Sequence, residues 1–327
     1  MYSAQFLFQK IDLPSQASFT LLNFTFYFAF LYLLMSHLEV SNFESYAKLA
    51  FFISFCFSNL FAFAATICTY DDYVQFTLIL LVLNYFYQNK NIPAILFLCL
   101  ATICRESSIF FLIPIVCISY FDRKEPLLSL FKWFVPILVY VVFVWSWLSD
   151  AMLHKTSDNL VDSRFGYLSF NFENIRETSM AVILVSAVPL LLGVIKFNSL
   201  QEQKSRIWIL AGGLLILFNI IISFTSTIAI EARYYFLPML FFTPLIKNEI
   251  LASFDVVKQS FINLNWTKLL LAIVFSLAIS LYWYVPHTNG TGVVFKGYSV
   301  LYLFIFFIIL MSKKDLKYLI IEYYRSN

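Results

Sequence analysis

Charge is what this chain has least of. Lys, Arg, Asp and Glu together make up 13% of its 327 residues, against 61% hydrophobic, where a soluble globular domain carries about 25% charged residues. So few charges cannot cover the surface of a water-soluble fold of this length, so the chain reads as an integral membrane protein. Glycine and proline are also sparse, 7 and 9 residues, and nowhere gather into a linker-like tract. One integral membrane domain over 1–327 is therefore expected, an all-α polytopic transmembrane helix bundle. The five cysteines, Cys56, Cys68, Cys99, Cys104 and Cys117, sit in or beside apolar runs with no CxxC and no paired histidines, which argues against a disulfide framework or a zinc site. There is no P-loop, no G-x-S-x-G and no metal-ligand spacing. No metal, cofactor or nucleic-acid partner is expected. The N-terminus carries only Lys10 and no apolar core of signal-peptide length, so it does not read as a cleaved leader.

What the chain does have is long apolar runs. With about 20 residues per bilayer-crossing helix as the ruler, segments fall at 17–36, 49–69, 75–87, 133–149, 179–195, 207–226, 234–246, 268–285 and 298–311. The run 92–120 holds Arg105 and Glu106 at its middle. One straight helix there would be longer than a bilayer core needs and would leave both charges at mid-membrane, at about 2.5–3.5 kcal/mol each. Two short helices, 93–104 and 107–120, meeting at the pair near one membrane face avoid most of that cost. The hairpin brings the expectation to about 11 membrane segments.

The loops then sort onto two sides. Fifteen of the 22 basic residues, from Lys48 through Arg123, Lys124, Lys196, Arg206 and Lys247 to Lys317 and Arg325, share one side, which the positive-inside rule makes cytoplasmic, with the C-terminus. The segments 249–264 and 314–324 have the spacing of amphipathic interfacial helices on that side. The opposite, extracytoplasmic side receives "TYDDYVQF", "CRESS", the loop 150–178 and "EARYYFLP".

That side holds the candidate site. Asp71 and Asp72 close an apolar segment and are flanked by Tyr70 and Tyr73; a partly desolvated carboxylate there can serve as a general base, and two solvated acids ending a helix are the plain alternative. Consecutive helical residues diverge, so one of the pair at most faces a given atom. Arg105 offers a planar, permanently charged fork suited to phosphate, or else an internal salt bridge that closes the hairpin. Glu231 and Arg233, followed by Tyr234 and Tyr235, repeat the acid-plus-arginine theme, or form an ordinary interfacial belt. His154 is more simply a surface residue than a catalyst.

These blocks, "TYDDYVQFTLILLVL", "ILFLCLATICRESSIFFLIPI" and "EARYYFLPMLFF", resemble multi-spanning C-type glycosyltransferases, in particular bacterial ones acting on cell-surface glycopolymers. The likeness covers about residues 69–120 and 231–245. It implies a membrane enzyme that takes a sugar from a polyprenyl-phosphate carrier and passes it to a glycan, lipid or protein acceptor at the outer leaflet of the bacterial inner membrane. On that likeness Asp71, Asp72 and Glu231 are the catalytic candidates, and Arg105, Glu106, Arg233, Tyr70, Tyr73 and Tyr234 the substrate-binding ones. Against the family pattern, the first span and its acidic loop are expected to be missing before Met1. That implies a late start, a takeover by Asp71 or Asp72, or an inactive member. A transporter or flippase, or a polymerase of lipid-linked glycans, would want similar residues; no internal repeat of the transporter kind stands out.

Overall fold

The structure is a computed structural model that describes residues 15–38, 42–56, 70–152, 163–200, 203–226, 233–263, 265–282 and 295–326. Among the described residues every regular element is helical. In chain order these are α1 (Ser15–Leu38), α2 (Phe43–Cys56), α3 (Tyr70–Tyr87), α4 (Asn91–Cys104), a 3₁₀ turn (Glu106–Phe111), α5 (Leu112–Phe121), a single helical turn (Leu127–Leu130) running through a second 3₁₀ turn (Phe131–Phe134) into α6 (Val135–Met152), α7 (Ser163–Glu173), α8 (Ile175–Ser199), α9 (Gln203–Ser226), α10 (Arg233–Leu245), α11 (Lys247–Ile262), α12 (Trp266–Tyr282), α13 (Phe295–Met311) and α14 (Lys313–Ser326). Among the described residues three stretches are long and apolar enough to cross a membrane, Leu127–Ser146, Thr178–Ser199 and Ser205–Thr225; α11 and α12, bent by 115°, make a fourth if they form one broken span. The outward faces stay apolar, with Leu138 64% and Trp145 78% exposed, as membrane association requires.

The run expected to fold back does so. Lys90 N–H donates to Tyr85 O, 2.9 Å, across a turn in which Asn89 takes a positive φ. So α4 starts beside the end of α3. Arg123, just past α5, donates from Nη2 to Phe86 O at 2.5 Å and lays its guanidinium 3.8 Å from the centre of the Phe86 ring. Thus α5 finishes where α4 began. A straight helix over the same residues would carry its far end about 40 Å away at about 1.5 Å per residue.

Contacts along the bundle fix the direction of the neighbours. Phe236 of α10 meets Phe76 of α3 at 4.8 Å between ring centres, and Phe241 stacks on Trp208 of α9. Trp208 Nε1 donates to Asp122 Oδ2 at 2.8 Å. Hence α10 runs parallel to α3, and α9 starts at the Asp122 end and runs the other way. The segment 150–178, expected as a loop, contains a helix: α7 is pinned by Asn171 Nδ2 donating to Phe224 O at 2.8 Å, and Phe172 meets the Phe224 ring edge-on. A buried Asn donating to a backbone carbonyl of α9 fixes this helix, which a reading of apolar periodicity does not register. Residues 153–162 of that expected loop, His154 among them, lie outside the described residues.

At the opposite end, the last turn of α8 is fastened to α11 by Lys196 Nζ and Glu249 Oε2, 3.2 Å apart, with Glu249 fully buried. In the middle, Pro189 interrupts α8, and Val188 N–H donates to the Tyr302 hydroxyl of α13 at 3.0 Å. Pro189 has no N–H to give to its own helix, and beside it a buried hydroxyl from a neighbouring helix accepts from the backbone.

Two glycines seat α10. A Cβ at Gly193 of α8 would run into the Phe242 ring, and one at Gly212 of α9 would lie 2.6 Å from Phe242 Cδ2, whereas Gly213 has open space. Phe242 is buried, so the ring has little room to yield. Gly212→Val should therefore cost about 1–3 kcal/mol through overpacking, read as a lower unfolding midpoint in detergent. Gly213→Ala should leave that midpoint unchanged or slightly raised.

Candidate functional site

The first turn of α3 places Asp72 and Gln75 on one face, three residues apart. Both are buried, Asp72 to 1% exposure. The Arg105 guanidinium forms a direct ion pair with Asp72 Oδ1 through Nη1. Arg105 thus pairs with an acid from another helix and not with its neighbour Glu106, which is exposed.

The local backbone explains why the arginine can reach. Arg105 is extended, φ −157° and ψ 125°, while its N–H still closes the last turn of α4 on Ala101 O at 2.8 Å. Ser108 N–H then donates to Arg105 O at 3.1 Å and opens the 3₁₀ turn. Neither glycine nor proline makes this break. Ser108 favours it, because its hydroxyl offers the backbone an alternative to a continuous helix: Ser108 Oγ donates to Ala101 O at 3.0 Å. Gln75 Nε2 donates to Ser107 Oγ at 2.9 Å and Ser108 Oγ at 2.8 Å, tying the turn to α3. The chain therefore swings Arg105 over the first turn of α3 and is held there by hydrogen bonds on its next residues.

The candidates divide as follows. Asp72 and Arg105 are brought together. Tyr73 is buried, with its ring 5.5 Å from Tyr27 and 6.4 Å from Phe76, so it packs the wall beneath the site. Glu106 opens the 3₁₀ turn and lies within electrostatic reach of Tyr140 on α6. The backbones of Tyr70 and Asp71 begin α3, and those of Arg233 and Tyr234 begin α10. Because Phe236 meets Phe76, the start of α10 lies at the same end of the bundle as Asp72. The side chains of Tyr70, Asp71, Arg233 and Tyr234, and the whole of Glu231, lie outside the described residues. Sequence reasoning missed Gln75, Ser107 and Ser108. The available signal was a Gln one turn from Asp72 in an otherwise apolar helix. Among the described residues no group of three or more His, Cys, Asp or Glu side chains comes together as metal ligands would.

No family model, curated protein or solved structure matches this chain.

The ion pair makes a stability prediction. Arg105→Ala strands a carboxylate that is almost wholly buried, and breaking such a pair costs about 3–5 kcal/mol. The double variant Asp72→Asn with Arg105→Gln removes both charges and should recover most of that loss. Thermal unfolding of the two variants against the parent measures both; equal destabilisation by the single and the double change would mean that the pair is energetically uncoupled.

Proposed function

We propose that this protein is a membrane glycosyltransferase that moves a sugar from a polyprenyl-phosphate donor to a cell-envelope glycan, lipid or protein acceptor. The observation that supports this reading is a buried carboxylate, Asp72, joined to an arginine at a chain reversal. The start of α10, with its Arg-Tyr-Tyr sequence, lies at the same end of the bundle. In this reading the bundle has about eleven membrane segments, the short-helix hairpin among them. The Lys-rich end and the C-terminus face the cytoplasm of a bacterial inner membrane. The site then opens to the extracytoplasmic leaflet.

The chemistry asks for two groups. As the bond from the anomeric carbon to the phosphate oxygen breaks, its electron pair leaves on that oxygen, and a guanidinium neutralises the growing charge without a metal. Arg105 has that role, with Arg233 as a second cation at the same end. On the other side of the anomeric carbon the acceptor hydroxyl oxygen forms the new bond, and its proton passes to a carboxylate. A single displacement of this kind inverts the anomeric centre. Asp72, in contact with Arg105, takes the role of base, and Asp71 and Glu231 remain the other acid candidates. Tyr70 and Tyr234 are left to flank the sugar, and Glu106 the mouth.

The test is release of polyprenyl phosphate from a labelled polyprenyl-phosphate sugar by the purified protein in nanodiscs, with envelope glycan extract as acceptor. Release at the expected rate falls to background in Asp72→Asn and by about 100-fold or more in Arg105→Lys. Movement of the donor across the bilayer without cleavage would assign a carrier instead, and a ladder of products a polymerase. Full turnover in Asp72→Asn would remove that residue from the mechanism.

A further inference from the structure

The bend between α11 and α12 leaves a wedge, and α13 and α14 meet at the same corner. Ser260 of α11 and Ser312, between α13 and α14, share a hydrogen bond at 3.0 Å that ties the corner together. Beside them lies a cavity of about 450 Å³. Leu269 and Ile308 line it with apolar surface, Gln259 and Asn263 bring amides, and Lys268 and Asp315 bring one charge of each sign. Both charged side chains are exposed, and among the described residues neither forms an ion pair with the other or with a third group. A cation and an anion that line one cavity without bonding each other are complementary to a molecule that carries both charges.

The position of the cavity says what kind of molecule that is. α11 follows α10 and so begins at the Asp122 end of the bundle, away from Asp72. Its outer side is polar, with Asp255, Lys258 and Gln259 exposed. α12 is the reverse: Leu270, Val274 and Leu281 are exposed along one stripe. Trp266, 78% exposed, stands at the first residue of α12, where polar surface gives way to apolar. An exposed Trp at such a change marks the level of lipid headgroups, and Lys268 lies two residues further on. We infer that this cavity binds the headgroup of a zwitterionic phospholipid, its phosphate on Lys268 and its ammonium on Asp315. The acyl chains follow the stripe of α12 into the apolar layer. Lys313, Lys314 and Lys317 of α14 are exposed but do not line the cavity, so they attract anionic membrane surface in general and leave the selection to the lining. There an anionic headgroup finds Lys268 but is opposed by Asp315. This site stands whichever activity Asp72 and Arg105 serve.

Native mass spectrometry of the full chain in detergent, titrated with phosphatidylethanolamine or phosphatidylglycerol of identical acyl chains, tests the assignment. The parent should retain phosphatidylethanolamine about fivefold more tightly, the worth of an ion pair open to solvent on one side. Asp315→Lys gives the cavity two cations and should invert that preference, and Lys268→Met should weaken both lipids by removing the phosphate contact. Both side chains are exposed, so neither change threatens the fold. Equal retention of the two lipids by the parent, or an unchanged preference in Asp315→Lys, overturns the proposal. Glycerophosphoethanolamine, the same headgroup without chains, should leave bound phosphatidylethanolamine in place at equal concentration. Displacement there would assign a water-soluble zwitterion and overturn the lipid.

Discussion

A carboxylate cannot be sealed inside an apolar bundle unless a cation comes with it, and much of the arrangement at one end of this protein follows from that constraint. Asp72 sits on the first turn of α3, where the helix face is already committed to packing against α1 and α10. Its counter-ion has to come from another segment, and α4 supplies it by stopping at Cys104 and leaving Arg105 extended. Once the cation is anchored there, the chain has only one way to continue without carrying charge through the apolar layer, which is back along the path it came. The return leg ends at Arg123, whose own guanidinium caps the far end of α3 by bonding Phe86 O. One helix is thus bracketed at both ends by arginines of the same hairpin.

The reversal was legible in the sequence because it is a question of cost: two charges at mid-membrane are dear, and two short helices avoid them. Composition and run length also sufficed for an all-helical, membrane-associated chain. What the sequence could not display was the partner of each charge. Arg105 and Asp72 are 33 residues apart, and no periodicity within a segment records a contact between segments. The Gln75–Ser107–Ser108 ties are hidden for the same reason, and so is the burial of Glu249, which lies in a segment whose spacing marks it as an interfacial helix. Tyr73 shows the converse failure. Its position beside two aspartates suggested sugar contact, yet the ring is enclosed by Tyr27 and Phe76. A residue's neighbours in sequence do not determine which side of the helix it occupies.

Two buried ion pairs share one build, a sealed acid with a partly exposed cation. Lys196 and Glu249 are 3.2 Å apart in a place where Glu249 is fully enclosed, and Glu249 Oε1 has no hydrogen-bond partner among the described residues. Such a pair gains little over an apolar substitute but is costly to break, so it behaves as a fastening between α8 and α11. The Asp72–Arg105 pair has a sealed acid and a cation that still touches the exterior. Lys196 likewise keeps 13% of its side chain exposed beside a sealed Glu249, against 18% for Arg105 beside Asp72, so by exposure both pairs read as fastenings.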